Sequence, residues 1–372
     1  MVTLKLIKCN TRNLVLHLPY CRRCGTKLDE DVHFCYKCGT PVIANNLAVP
    51  TKLVRPMRKK WLVTVVIASL TAILVAAMIV SAAIFIPISS LDFNQINQDS
   101  HPNIDTLNLD LQVDSAQVDI ITQNITDKNI LIITSAVGSR GFFGSNDLIQ
   151  IKFNNQTQNK KLTVTTKVTD TNDLFTRNLH ITCTVYINPA LNLNLNVTTQ
   201  AGKITLSSEK SATFQSVNLQ AKAGDIEATI QNATIAGPMS FKTYAGTVYF
   251  GMSQVSVQNN QTVNLQSSAG STNLDITQTK PLQGNLTVST VTELGSINLG
   301  LKIDGDVAAK IISLTNFGRI HSDLQNFSGD LSPIQSNNFP TAGKIEINSQ
   351  TNLGNININA FYQFSNGPSI RN

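Results

Sequence analysis

The apolar and polar positions along this chain follow two periods and, in one place, none. Residues 61–86, WLVTVVIASLTAILVAAMIVSAAIFI, run 26 positions with no charge, no proline and no polar stripe. At about 1.5 Å per residue they predict roughly 39 Å of helix, enough to cross a ~30 Å hydrocarbon core with some tilt. Beyond them the period falls to two. LNLDLQV places Leu107, Leu109, Leu111 and Val113 on one side, and LTVTTKV, ITCTVYI and LNLNLNV alternate in the same way. Such alternation predicts half-buried strands, with a loop at 137–146, VGSRGFFGSN. Cys183 falls on the inward side of ITCTVYI, where a thiol acts as a small hydrophobe.

From about residue 191 the strands repeat. LQAKAGDIEATI (219–230), FKTYAGTVYFGM (241–252) and LQSSAGSTNLDI (265–276) carry Ala-Gly at the same place. The glycines are Gly202, Gly224, Gly246, Gly270, Gly295, Gly318 and Gly343, spaced 22, 22, 24, 25, 23 and 25 apart, with Gly354 at half spacing. A period of this size predicts stacked units. Apolar residues fall two and four positions after six of these eight glycines, as in Ile226 and Ala228, Val248 and Phe250, Ile345 and Ile347. Before it, the inward set is expected at five, three and one back, as in Leu219, Ala221 and Ala223, with the small Ala inside a corner. A straight strand cannot shift its inward set by an odd step, so the glycine predicts a bend with positive φ or a bulge. The fold expected is mainly β: a parallel β-solenoid of ~22–25-residue repeats over 100–365, after a linker at 87–99 and before a tail at 366–372. A sandwich of hairpins is the rival, and Asn-Gly turns between the strands are nearly absent.

Charge divides the chain at the apolar run. Residues 1–60 hold 12 Lys+Arg and 3 Asp+Glu, a balance of +9; the total is +6, so residues 61–372 carry −3. Lys52, Arg55, Arg58, Lys59 and Lys60 crowd one end, in a basic juxtamembrane linker at 44–60. The positive-inside rule then predicts a single-pass protein with residues 1–60 in the cytoplasm and 87–372 outside. The lipid bilayer is partner enough for the basic cluster, without nucleic acid.

Ahead of that linker stands YCRRCGTKLDEDVHFCYKCGTPV. Cys21 and Cys24 form one CxxC and Cys35 and Cys38 a second. Four thiolates satisfy tetrahedral Zn2+ and leave no position for a catalytic water, so a structural zinc ribbon is expected over 18–43. Gly25 and Gly39 follow the two pairs, where positive φ lets backbone N–H groups face the sulfurs. Tyr20 and Phe34 precede the pairs symmetrically and are expected to pack as a small core. His33 is not needed as a ligand, and Cys9 and His17 fall in an extension, 1–17, expected to be poorly ordered. A redox dithiol or disulfides are the alternatives, disfavoured by the inferred compartment.

The pattern YCRRCG…FCYKCG resembles the zinc-ribbon modules at the amino end of many prokaryotic membrane proteins. YINPALNLNLNVTTQAGKITL, NLQAKAGDIEATI and TAGKIEINS, with the lead-in LDLQVDSAQVDI, resemble the prokaryotic "putative adhesin" family of cell-surface β-solenoids. That resemblance implies an exported surface domain and carries over no ligand residue.

No catalytic constellation is expected. Asp304 and Asp306 are the closest acidic pair, a weak cation site if their strand is regular and a solvated turn otherwise; His101, His180 and His321 lie far apart in sequence. The function expected is non-enzymatic: a membrane-anchored surface module for adhesion or envelope interaction, meeting an extracellular polymer or cell-surface ligand. The alternative is an envelope sensor that reports through the ribbon to a cytoplasmic protein.

Overall fold

The computed structural model describes residues 20–21, 23–29, 32–41, 59–85, 89–140, 149–170, 176–329, 332–340 and 343–363. The expected extension at 1–17, residues 44–58 of the basic linker and the tail at 366–372 lie outside them. The chain divides into two compact units, Met1–Val75 and Ala76–Asn372.

The apolar run forms helix α1 (Lys59–Phe85). Its segment Thr64–Ser81 has a mean hydropathy of 2.4 and is long and apolar enough to cross a membrane. Ser69, Thr71 and Ser81 donate their hydroxyls to the carbonyls of Val66, Ala68 and Met78, each at 2.9 Å. These three hydroxyls are thus satisfied within the helix and have no need of water.

The rest is strand. The lead-in comprises β1 (Ser89–Asp99), β2 (Thr106–Ser115), β3 (Gln117–Thr122), β4 (Ile130–Arg140), β5 (Ile149–Gln158), β6 (Lys161–Asp170) and β7 (Thr176–Ile187). Then come β8 (Asn192–Ala201), β9 (Ile204–Ser208), β10 (Thr213–Ala223), β11 (Ile226–Gln231), the short β12 (Thr234–Ile235), β13 (Met239–Ala245), β14 (Val248–Ser253) and the short β15 (Ser256–Val257). The chain continues through β16 (Gln261–Ala269), β17 (Thr272–Gln278), β18 (Leu286–Leu294), β19 (Ile297–Asp304), β20 (Ala308–Phe317) and β21 (Ile320–Gln325). It closes with β22 (Phe327–Ser328), β23 (Ile334–Ser336), β24 (Lys344–Leu353) and β25 (Ile356–Gln363).

These make two mixed sheets. One has 11 strands in the order β1-β4-β7-β3-β9-β11-β14-β17-β19-β25-β21. The other has 14, in the order β22-β23-β20-β24-β18-β16-β13-β10-β8-β2-β6-β5, with β12 and β15 beside it. Pairing is parallel through the middle of both, as in β10 with β13 and β11 with β14. It is antiparallel at three of the four sheet ends, β1 with β4 and β4 with β7, β5 with β6, and β23 with β20 and β22, whereas β21 ends its sheet parallel to β25. Inward side chains from both sheets share one core. Val118, Ile204, Ile226 and Val248 stand in register down one sheet and Val197, Leu219, Phe241 and Leu265 down the other. Phe241 and Phe250 stack across the core with centroids 5.1 Å apart.

The glycines sit at the crossing between sheets. Gly224 lies between β10 and β11, and Gly246 between β13 and β14. Their φ angles are 138° and 146°. A Cβ on Gly224 would lie 2.1 Å from the carbonyl oxygen of Gly202, and one on Gly246 would lie 2.2 Å from that of Gly224. Backbone meets backbone at this corner, so no side chain fits. The same contact continues through Gly270, Gly295, Gly354 and Gly318, each facing the one before.

Five expectations change. Residues 137–140, expected to open a loop, instead close β4 and pair with β1 and β7, and 141–146 lie outside the described residues. The column runs from Gly295 to Gly354 and only then to Gly318, because the later pair β24–β25 inserts between β18–β19 and β20–β21. Gly343 is not in the column: its missing Cβ faces the Leu282 carbonyl at 2.4 Å, and the IEIN that follows it begins β24, a strand of the incoming kind. The alanines before the glycines point outward; Ala201, Ala223, Ala245 and Ala269 are exposed. The last inward position is instead three before the glycine, where Thr243 donates to the Gly224 carbonyl at 2.8 Å and Ser267 to that of Gly246 at 2.8 Å. A buried hydroxyl there satisfies a carbonyl at the corner. Finally, residues 89–99, expected as linker, form β1, which pairs with β4 along its whole length. Its inward positions Leu91, Phe93, Gln95 and Asn97 are only half-buried, so polar residues suffice and the period-two signal is faint.

Candidate metal centre and outer faces

The ribbon is built from two like halves, CRRCGT and CYKCGT. In each, the first cysteine N–H binds the threonine carbonyl, Cys21 to Thr26 at 2.8 Å and Cys35 to Thr40 at 2.9 Å. The glycine N–H returns to the first cysteine, Gly25 to Cys21 at 2.9 Å and Gly39 to Cys35 at 2.8 Å. Gly25 and Gly39 have φ of 69° and 65°, the left-handed conformation the turn needs. The two turns bring all four Sγ atoms within 4.8 Å of one another. Cys21 and Cys38 are 3.6 Å apart, as are Cys24 and Cys35. That cluster of soft donors is the set of a structural Zn2+.

Residues flanking the sulfurs tune them. Thr26 and Thr40 place their hydroxyls 3.2 Å from the sulfurs of Cys24 and Cys38. The Thr40 hydroxyl and then its backbone bring the Cys38 thiol down to about 6, and the same pair of contacts from Thr26 lowers Cys24. These threonines escaped the sequence reading, although the repeated CGT marks them. Tyr20 and Phe34 do not form the expected core: they are 59% and 63% exposed, and Leu28, with Cys21, Cys35 and Val32, fills the interior. The facing turns leave room for one buried aliphatic side chain between them, not for two rings. His33 is exposed and outside the sulfur cluster.

In the β unit the remaining candidates separate. Cys183 is fully buried, and burial pushes its thiol up to about 11. Asp304 ends β19 and Asp306 follows Gly305, which turns at φ 62°, so the two carboxylates do not share a strand face. His180 and His321 lie on β7 and β21, and His101 follows β1. Asp99 is the polar centre the sequence did not reveal. It is 3% exposed and accepts from His101 Nδ1 at 2.6 Å, Asn155 Nδ2 at 2.8 Å, Asn129 Nδ2 at 3.1 Å and the His101 backbone at 3.1 Å. Burial pushes its carboxyl up, but these hydrogen bonds outweigh burial and hold it below the ordinary carboxylate range.

Outward, asparagines link from strand to strand. Asn194 donates to Asn108 at 3.0 Å and Asn218 to Asn196 at 2.8 Å on the larger sheet. Asn298 donates to Asn273 at 2.7 Å and Asn357 to Asn298 at 2.8 Å on the smaller.

Residues 20–42 match the zinc-ribbon domain family. Among solved structures the chain is similar to a "putative cell adhesion protein" from Clostridium sporogenes, at 12% identity and a TM-score of 0.38, covering 73% of this chain and 100% of that one. It is also similar to a "putative adhesin" from Bacteroides fragilis, at 13% identity and a TM-score of 0.35, covering 73% and 97%. A "putative lipid binding protein" from Parabacteroides distasonis follows at 12% and 0.33, covering 73% and 96%. No curated protein sequence matches the chain. The chain is thus a mainly-β protein with a zinc-ribbon domain and, among the described residues, one apolar helix of membrane-crossing length.

Proposed function

We propose that this chain is a single-pass, cell-surface protein whose outer domain is a non-enzymatic β-solenoid for adhesion or envelope interaction. The observation that carries the reading is the glycine column, Gly202 through Gly318. It stacks successive strand pairs so closely that each adds one outward strand to either face. The product is a long surface of Asn, Thr and Gln rows, suited to repeated weak contacts with a polymer or another cell. The basic cluster before α1 favours the ribbon on the cytoplasmic side and the stack outside. There the ribbon, as a Zn2+-held fold with Cys21, Cys24, Cys35 and Cys38 as ligands, serves as a stop or docking module.

Cells carrying the full chain, compared with cells lacking it, are scored for attachment to envelope material and to one another. Attachment is expected to need the chain and to survive deletion of residues 20–42. Loss of attachment on deleting the ribbon alone, with the protein still at the surface, would contradict the adhesion reading and favour an envelope sensor.

A further inference from the structure

A groove of about 890 Å3 opens on the outer face of the 11-stranded sheet, across β14, β17, β19, β25 and β21. Two outward rows build it. In one, Tyr249, Asn273, Asn298, Asn357 and His321 stand in register on successive strands. In the other, Gly251, Asp275, Gly300, Asn359 and Asp323 do the same. Gly300 lines the groove and Gly251, buried, lies just outside its lining; both sit within strands, and what they supply is space. A Cβ on Gly300 would fall 2.3 Å from Asp275 Oδ1, and one on Gly251 would fall 2.9 Å from the Tyr249 hydroxyl. Tyr249 and Asp275 therefore lie down over the glycines instead of standing off the sheet, and the floor is hollowed. Burial, and then the Asp275 carboxylate, raise the Tyr249 phenol above its ordinary value, so the hydroxyl stays protonated.

The lining narrows the ligand by its chemistry. It contains no Lys or Arg and two carboxylates, so it repels an anion. Asp275 and Asp323 stand three strands apart in register, roughly 14 Å at ~4.8 Å per strand, too far to share one metal ion. The row of amides is too polar for an apolar guest. Its hydrogen bonds, Asn298 to Asn273 and Asn357 to Asn298, fix each amide and leave further N–H and lone-pair positions facing outward. Fixed donors and acceptors, two carboxylates and one flat aromatic ring suit a chain of hydroxyls. The five strands extend the groove over roughly 19 Å, long enough for several linked rings.

We propose that this groove binds a neutral glycan chain, with Tyr249 as its platform and the Asn273–Asn298–Asn357 row as its hydrogen-bonding rail. The proposal rests on the adhesion reading and gives it a ligand class. The test uses the full chain in a detergent without a sugar head group. It is passed over immobilised neutral hexose and N-acetylhexosamine oligosaccharides, with uronic-acid and sulfated ones for contrast. At least one neutral oligosaccharide is expected to bind. Gly300→Thr, which refills the hollow, and Tyr249→Ala should each weaken binding at least tenfold. Glu209→Ala, in the exposed turn between β9 and β10, should leave it unchanged, and thermal unfolding of all three variants identifies any that misfold. Retention of no neutral oligosaccharide, equal retention of the anionic ones, or indifference to both groove substitutions in folded protein overturns the proposal. If wild-type cells attach while no neutral glycan binds, the groove assignment fails and adhesion stands. If glycans bind and cells do not attach, adhesion fails and the groove stands.

Discussion

Replacing Gly246 with Ala puts the packing argument under the greatest load. The new Cβ would lie 2.2 Å from the Gly224 carbonyl oxygen, a backbone atom held in the stack. The residue would also have to keep φ of 146°. Holding a side chain in that region costs about 1–3 kcal/mol, and crowding a packed site costs about 1–3 more. We expect a loss of about 4 kcal/mol, a large part of the ~5–15 kcal/mol by which domains are stable. With a urea dependence of about 3 kcal/mol per molar, the midpoint falls by about 1.3 M. Gly251→Ala is the control. Gly251 lacks positive φ, and its nearest neighbour is the tip of a side chain, the Tyr249 hydroxyl at 2.9 Å, which can turn away. That change should stay within about 1 kcal/mol. Urea unfolding followed by far-ultraviolet circular dichroism reads both. Equal midpoints for the two variants would refute the claim that the corner admits no side chain.

The other predictions concern the polar centre at β1 and the ribbon. Asp99→Ala leaves the amides of Asn129 and Asn155 without their carboxylate and should destabilise the β1–β4–β5 end by about 2 kcal/mol, read as faster amide exchange there. Because the folded carboxyl of Asp99 is depressed, its contribution is complete above the ordinary carboxylate range near pH ~4 and is lost as pH falls through the lower folded value; Asp99→Asn should flatten that part of an acid titration of stability. Chelation of zinc should unfold the ribbon, since metal binding supplies about 10–16 kcal/mol in such modules. Zinc affinity should fall as pH drops and the thiols take up protons, and in Thr40→Val, which loses the hydroxyl that holds the Cys38 thiol down, the Cys38 share of that fall should begin at higher pH.

How far the sequence reached depended on whether a residue's role was local. The ribbon was legible because each CxxCGT closes its own turn within six residues, and the helix because 26 positions lack a charge. The glycine column was legible as spacing, since a bend repeats with the unit that contains it. Its order was not, because the insertion of β24–β25 ahead of β20–β21 is a pairing choice between equivalent strands and leaves no mark on either. The outward alanines misled for a different reason. Small size suits an exposed corner as well as a tight one, and the residue that fills the inside is the hydroxyl two positions earlier, Thr243 or Ser267. Of the partners of Asp99 only His101 is local; Asn129 and Asn155 stand 30 and 56 residues away, and nothing near Asp99 announced them. The groove needed both a register and two missing side chains, and only the strand pairing of Gly251 and Gly300 with Asp275 brings these together.

Membrane sidedness decides whether the polar stack can meet another surface at all. Intact cells carrying the full chain are treated with added protease, and the fragments are followed with tags at both ends. The account predicts that the carboxy-terminal tag is lost from whole cells while a short fragment with the ribbon and α1 stays protected until lysis. Protection of the carboxy-terminal region in whole cells, with the ribbon cut first, would contradict it.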